Sequence, residues 1–70
     1  MRISARNRLK GKVVEVTKGA VTAHVRIDIG NGVLVTASIT NEAVDELGLE
    51  AGKEAYAVVK ASDVMVAVDG

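Results

Sequence analysis

The chain has 70 residues, nine Lys plus Arg balanced by nine Asp plus Glu, one His, one Tyr, and no Cys, Pro, Trp or Phe. A single domain over residues 1–70 is expected, and at this size folding hides only about 60% of the surface the unfolded chain exposes, so a lone copy is marginal and self-association is expected. Disulfides and Cys-based metal sites are excluded, charges interrupt every apolar run short of the roughly 20 residues that span a bilayer, and Met1–Lys12 lacks the apolar stretch of a secretory signal, which leaves the cytoplasm as the expected location.

Along the chain, Leu9–Thr17 reads as a strand, with Val13, Val14 and Val16 among charged neighbours and Gly11 as a candidate bulge. Lys18-Gly19 reads as a turn. Val21, Ala23, Val25, Ile27 and Ile29 then alternate with Thr22, His24, Arg26 and Asp28, the period of a half-buried antiparallel strand. Gly30-Asn31-Gly32 supplies residues that tolerate positive φ and should close a hairpin with Val33–Ile39. Thr40 or Asn41 can cap a short helix whose first turns carry Glu42, Asp45 and Glu46, and Gly48 should end it. After the connector Leu49–Gly52, a fourth strand is expected at Ala55–Val59. Ala61-Ser62-Asp63 breaks the pattern, and Val64, Val66 and Val68 resume it as a fifth strand. The expectation is an all-β fold with one short helix, a five-stranded antiparallel barrel of the oligomer-binding (OB) type.

The residues that carry chemistry are few. His24, the only His, lies far along the chain from Ser4, Ser38 and Ser62, so no nucleophile has an evident base, and the sequence argues against an enzyme. The acids between Asn41 and Glu54 are spaced as on a solvated helix face, not as in a hard-cation loop. Single-stranded nucleic acid leans on aromatic platforms in a basic groove, and Tyr56 is the sole aromatic in a chain of zero net charge. Neither nucleic acid nor a membrane is therefore an expected partner. What remains is an anion. Arg2, Arg6, Arg8, Lys10 and Lys12 place five positive charges in the first twelve residues without an acid. Ser4, Arg6 and Asn7 offer a hydroxyl, a guanidinium and a carboxamide, and Ser4 and Arg6 would point the same way if that segment were extended. Lys60-Ala61-Ser62 repeats the theme at a strand break, where backbone N–H groups are free to face a ligand.

Three segments taken together, Ile3-Ser4-Ala5-Arg6-Asn7-Arg8-Leu9-Lys10-Gly11-Lys12-Val13, Leu47-Gly48-Leu49-Glu50-Ala51-Gly52-Lys53-Glu54 and Val59-Lys60-Ala61-Ser62-Asp63-Val64, closely resemble the molbindins. These are the small Mop proteins that bind molybdate, related to the transport-associated OB-like (TOBE-like) domains of molybdate transport ATPases and of the molybdate-responsive transcription regulator. The resemblance covers essentially the whole chain. It implies a five-stranded barrel assembled as a homohexamer, a trimer of dimers, with oxyanion sites between subunits. It implies molybdate, and often tungstate, held by hydrogen bonds without direct metal coordination, in an intracellular molybdenum store or buffer. Such proteins were first described as molybdopterin-binding.

Carried over position by position, the resemblance makes Ser4 and Arg6 anion ligands, with Ala5 and Asn7 in the same segment. Lys60 becomes the basic ligand of the penultimate turn, followed by Ala61 and Ser62 as backbone and hydroxyl donors, and Thr40 a hydroxyl donor where the helix starts. Ala43 stands where relatives often have Ser, which removes one donor. The turn Lys18-Gly19-Ala20-Val21-Thr22 is the candidate for a second class of site on a threefold axis, through Gly19, Ala20, Val21 and Thr22. The alternative reading is an oxyanion-sensing interaction or regulatory module that acts through a protein partner. The absence of a helix-turn-helix and of a linker in this sequence speaks against it.

Overall fold

The computed structural model describes all 70 residues. Four antiparallel strands, β1 (Asn7–Lys18), β2 (Thr22–Asp28), β3 (Leu34–Thr40) and β4 (Glu54–Val59), form one sheet in the order β3-β2-β1-β4. A helix, α1 (Asn41–Leu47), joins β3 to β4, and a single 3-10 turn, Ala61–Asp63, follows β4.

The long strand β1 curls the sheet. Its first half pairs with β4, from Asn7↔Val59 to Lys12↔Glu54, and its second half pairs with β2, from Lys12↔Asp28 to Lys18↔Ala23. At the crossing, Gly11 lies so close to β2 that a Cβ there would sit 2.3 Å from the Asp28 carbonyl oxygen. Gly11 is therefore needed for close approach, and it stays in register opposite Ala55. The bulge expected at Gly11 lies at Val14 instead, where the register passes from Val13↔Ile27 to Glu15↔Arg26. Val13 and Val16 are three apart, an odd separation that a regular strand would split between two faces. One extra residue restores the parity, so that Val13 is fully buried, Val16 is half-buried and Val14 is left outside.

The hairpin β2–β3 follows the alternation read from the sequence. Ala23, Val25 and Ile27 are buried and face Ile39, Ala37 and Val35 across the ladder. Its turn places Gly30, Asn31 and Gly32 at φ 107°, 54° and 75°, and the Asp28 carboxylate accepts from the Gly30 N–H at 2.8 Å. Of the two candidate caps, Thr40 serves α1: its Oγ1 accepts from the Ala43 N–H at 3.0 Å. Gly48 ends the helix at φ 62° and ψ 38°, and Val44 is its buried residue.

The expected fifth strand is absent, and the sheet is a half-barrel. Val64–Gly70 forms no strand, and beyond Val64, whose N–H reaches Ala61 O at 3.3 Å, no backbone hydrogen bond of the segment joins the rest of the chain. A strand exists only beside a neighbour, and both free edges, β3 and β4, stand away from this segment. Met65 and Val66 are accordingly 93% and 88% exposed.

Candidate functional site

The ladder β1–β4 brings the two ends of the chain together. Asn7 and Val59 are its last pair, and the Asn7 side chain donates to Val59 O at 3.2 Å. One residue beyond that pair on each strand stand Arg6 and Lys60, both exposed. The chain bends at Ser4 and at Arg6 and enters β1 only at Asn7, so Ser4–Arg6 is not an extended strand, but Ala5 is buried between its two exposed neighbours. On the other side, Asp63 N–H donates to Lys60 O at 2.9 Å and closes the 3-10 turn. The N–H groups of Ala61 and Ser62 enter no backbone hydrogen bond outside the regular elements. The segments Ser4–Asn7 and Lys60–Ser62 thus both adjoin the Asn7–Val59 pair at one end of the sheet.

Its electrostatics are those of an unneutralised cationic edge. The ion pairs are Lys10–Glu54 at 3.5 Å, Lys18–Asp45 at 2.6 Å and Arg26–Glu15 at 3.6 Å, and neither Arg6 nor Lys60 belongs to any of them. Two free cations, two hydroxyls, a carboxamide and free amides can surround a compact anion, with Arg6 presenting several fixed N–H donors and Lys60 a movable point charge. Asp63, in the same turn, carries a charge of the opposite sign.

Thr40 lies elsewhere. It pairs with Thr22 at the far end of the hairpin, and the contour of β1 between the two ends is roughly 35 Å at ~3.3 Å per residue. There Thr40 meets the second set of candidates. Gly19 N–H donates to Thr22 O at 2.7 Å, Asn41 N–H donates to Val21 O at 2.8 Å, and the Asn41 side chain donates to Gly19 O at 2.9 Å. Gly19, Ala20, Val21 and Thr22 are all exposed. Thr17, Lys18, Gly19, Thr22 and His24 line a shallow depression of about 220 Å³. Two features escape a reading by sequence. Asn41 ties α1 to the turn through both its backbone and its side chain, leaving its Oδ1 buried without a partner, and only its ambiguity with Thr40 as a cap hinted at a role. Thr17 and His24 reach the depression because they pair across β1–β2, a register no linear motif encodes.

No group of three or more His, Cys, Asp or Glu side chains is arranged to hold a metal ion, and no helix is long and apolar enough to cross a membrane.

Residues 3–66 match the family of the TOBE domain. The chain is similar to the probable molybdenum-pterin-binding protein of Haemophilus influenzae, with 56% identity over 69 residues, covering 99% of this chain and 100% of the relative. Among solved structures, a molybdate binding protein from Sporomusa ovata superposes with a TM-score of 0.90 at 38% identity, covering 97% of this chain and 100% of that one. The cytoplasmic molybdate-binding protein ModG, solved with molybdate bound, superposes with a TM-score of 0.89 at 48% identity, covering 93% of this chain and 46% of its own.

Proposed function

This chain belongs to the TOBE-domain family and, within it, to the group of molybdenum-pterin-binding (Mop) proteins, and from that premise we propose that it binds molybdate as a free tetrahedral oxyanion, without catalysing a reaction. The observation that carries this reading is the meeting of Arg6 and Lys60, two cations free of ion pairs, with Ser4, Asn7 and Ser62 at the end of the β1–β4 ladder. A dianion is matched there by two positive charges, and the hydroxyl and amide donors hold its oxygens without displacing any, so the metal stays uncoordinated by the protein. Tungstate has the same charge and shape and is expected to compete.

The site is proposed to lie between subunits of a homohexamer. Thr40 is a donor in this reading, yet it stands at the opposite end of the sheet from Arg6, so the Thr40 that completes a shell with Arg6 and Lys60 comes from another copy. The turn Gly19–Thr22 is proposed as a second kind of anion site, built around the assembly's symmetry axis. Storage and buffering of molybdenum in the cytoplasm is the role that fits a small binding protein of this kind, and the description of its neighbour ModG as cytoplasmic supports that location.

Isothermal titration calorimetry with molybdate, tungstate, sulfate and phosphate tests the reading, with the assembly sized by light scattering on the same sample. Saturable molybdate binding is expected, with sulfate and phosphate far weaker. Each of Arg6→Ala and Lys60→Ala should weaken molybdate binding by roughly tenfold or more, since a hydrogen bond to a charged group is worth ~1.5–3 kcal/mol, while the far-ultraviolet circular dichroism stays unchanged. Parental affinity in either variant removes that residue from the site, and absence of heat with both oxyanions overturns the proposal.

A further inference from the structure

His24 is the only imidazole of the chain, and the proposed molybdate shell around Arg6 and Lys60 does not use it. Ala23 and Val25 on either side of it are buried while His24 is exposed, so strand alternation turns its ring to the outer face of the sheet. There it stands in the middle of a cross-strand row, opposite Thr17 of β1 and opposite Ser38 of β3. With Thr17, Lys18, Gly19 and Thr22 it lines the shallow depression beside the β1–β2 turn, and none of the five is hydrophobic.

The charges around this depression are already matched. Lys18, its one fixed cation, is held by Asp45 of α1 at 2.6 Å. Farther along the same face, Arg26 and Glu15 compensate each other at 3.6 Å. The side chains that β3 turns to this face beside His24, Thr36, Ser38 and Thr40, are uncharged. Besides Asp45, α1 carries Glu42 and Glu46, and neither joins an ion pair. What the depression offers an anion is therefore hydroxyl donors from Thr17 and Thr22, which orient oxygens but bring no positive charge to a dianion. A proton on His24 changes that balance. The protonated ring carries a full charge and donates from both nitrogens, whereas the neutral ring has one donor and one acceptor. Imidazole is the side chain that makes this change between about pH 5 and 8.

We infer that His24 is the switch of this depression: protonated, it completes with Thr17 and Thr22 a site for a tetrahedral oxyanion, and neutral, it holds one several-fold more weakly. The inference rests on the reading of the Gly19–Thr22 turn as a second anion site, and it gives that site a pH dependence that a guanidinium and an ammonium do not supply. Because the bound dianion favours the charged ring, affinity rises as the pH falls through the titration of His24. By reciprocity, the anion raises the pH at which the ring is half protonated.

Since the chain has a single His, its ring protons are read without ambiguity in a proton magnetic resonance spectrum. They are titrated from about pH 5.5 to about pH 8.5, with and without dilute molybdate. The anion should raise their midpoint by roughly 0.5–1 pH unit, equivalent to a three- to tenfold preference for the protonated ring. The same rise is expected in the double variant Arg6→Ala/Lys60→Ala, in which the other proposed site is removed. In nitrogen-15-labelled protein the amide signals of Gly19 and Thr22 should respond to molybdate several-fold more strongly at about pH 6 than at about pH 8, a difference that His24→Gln should abolish. An unmoved midpoint overturns the inference, and so does a rise that vanishes in the double variant, because His24 then senses the Arg6–Lys60 site. If Gly19 and Thr22 respond equally at both pH values, the second site stands and its switch falls. If they respond at neither, the second site falls with it.

Discussion

At Gly11 the side chain is a hydrogen atom because the space belongs to β2, not because the backbone conformation demands glycine: its φ is not positive, whereas those of Gly30 and Gly32 are. A methyl group there would meet the Asp28 carbonyl, which is backbone and cannot swing aside. Gly11→Ala is therefore expected to lower stability by about 1–3 kcal/mol, as overpacking does, read as a drop in the urea midpoint with an unchanged slope. Thr40 contributes at a second level, since its hydroxyl oxygen accepts from Ala43 N–H and leaves its own proton for another acceptor. Thr40→Ala should cost ~1 kcal/mol of stability through the lost cap and weaken molybdate binding as well, whereas Thr40→Ser should do neither to a comparable degree. Asp63 is expected to act in the opposite sense. Replacing it by Asn removes a repelling charge beside Lys60 and should raise oxyanion affinity a few-fold at low salt, an advantage that fades as salt screens it. Charge and donor type at Ser4, Arg6, Lys60 and Ser62 are legible in the sequence, but their common place is not, because it arises from the pairing of Asn7 with Val59.

At the level of elements, alternation and turn chemistry carried most of the information. Ala23, Val25 and Ile27 with Gly30-Asn31-Gly32 specify the hairpin, and Gly48 the end of α1, because those signals are local. The bulge is different. Which residue is expelled from β1 depends on keeping Val13 and Val16 on one face while β2 stays in register, and only the partner strand decides that. Deleting Val14 should therefore turn Val16 outward and destabilise the fold strongly, while Val14→Thr, on the exposed outer surface, should stay within ~0.5 kcal/mol of the parent; urea unfolding distinguishes the two. The tail Val64–Val68 shows the same dependence in reverse, since a good strand pattern without an adjacent edge forms no strand.

The whole molecule is too open for its length. Its radius of gyration is 13.0 Å, against about 11 Å for a compact chain of this size, and only seven of 70 residues are buried. If a chain so built associates, as proposed, its thermal midpoint should rise with protein concentration, a dependence that Val66→Asp should weaken. Differential scanning calorimetry over a hundredfold range of concentration measures this directly. A concentration-independent midpoint would mean that the single chain already holds all of its stabilising contacts.

The sequence by itself determined the β-rich class, the helix and its caps, the hairpin and the cationic start of the chain. These depend on neighbours in the chain: period, turn residues and the spacing of charge. The tertiary structure decided that the sheet has four strands and an open side, that the bulge is at Val14, that Gly11 is a point of contact, and that Arg6 and Lys60 stand together while Thr40 stands apart. Each of those rests on residues far apart in sequence, and pairing between distant strands is settled by which edges and faces remain free once the local elements have formed.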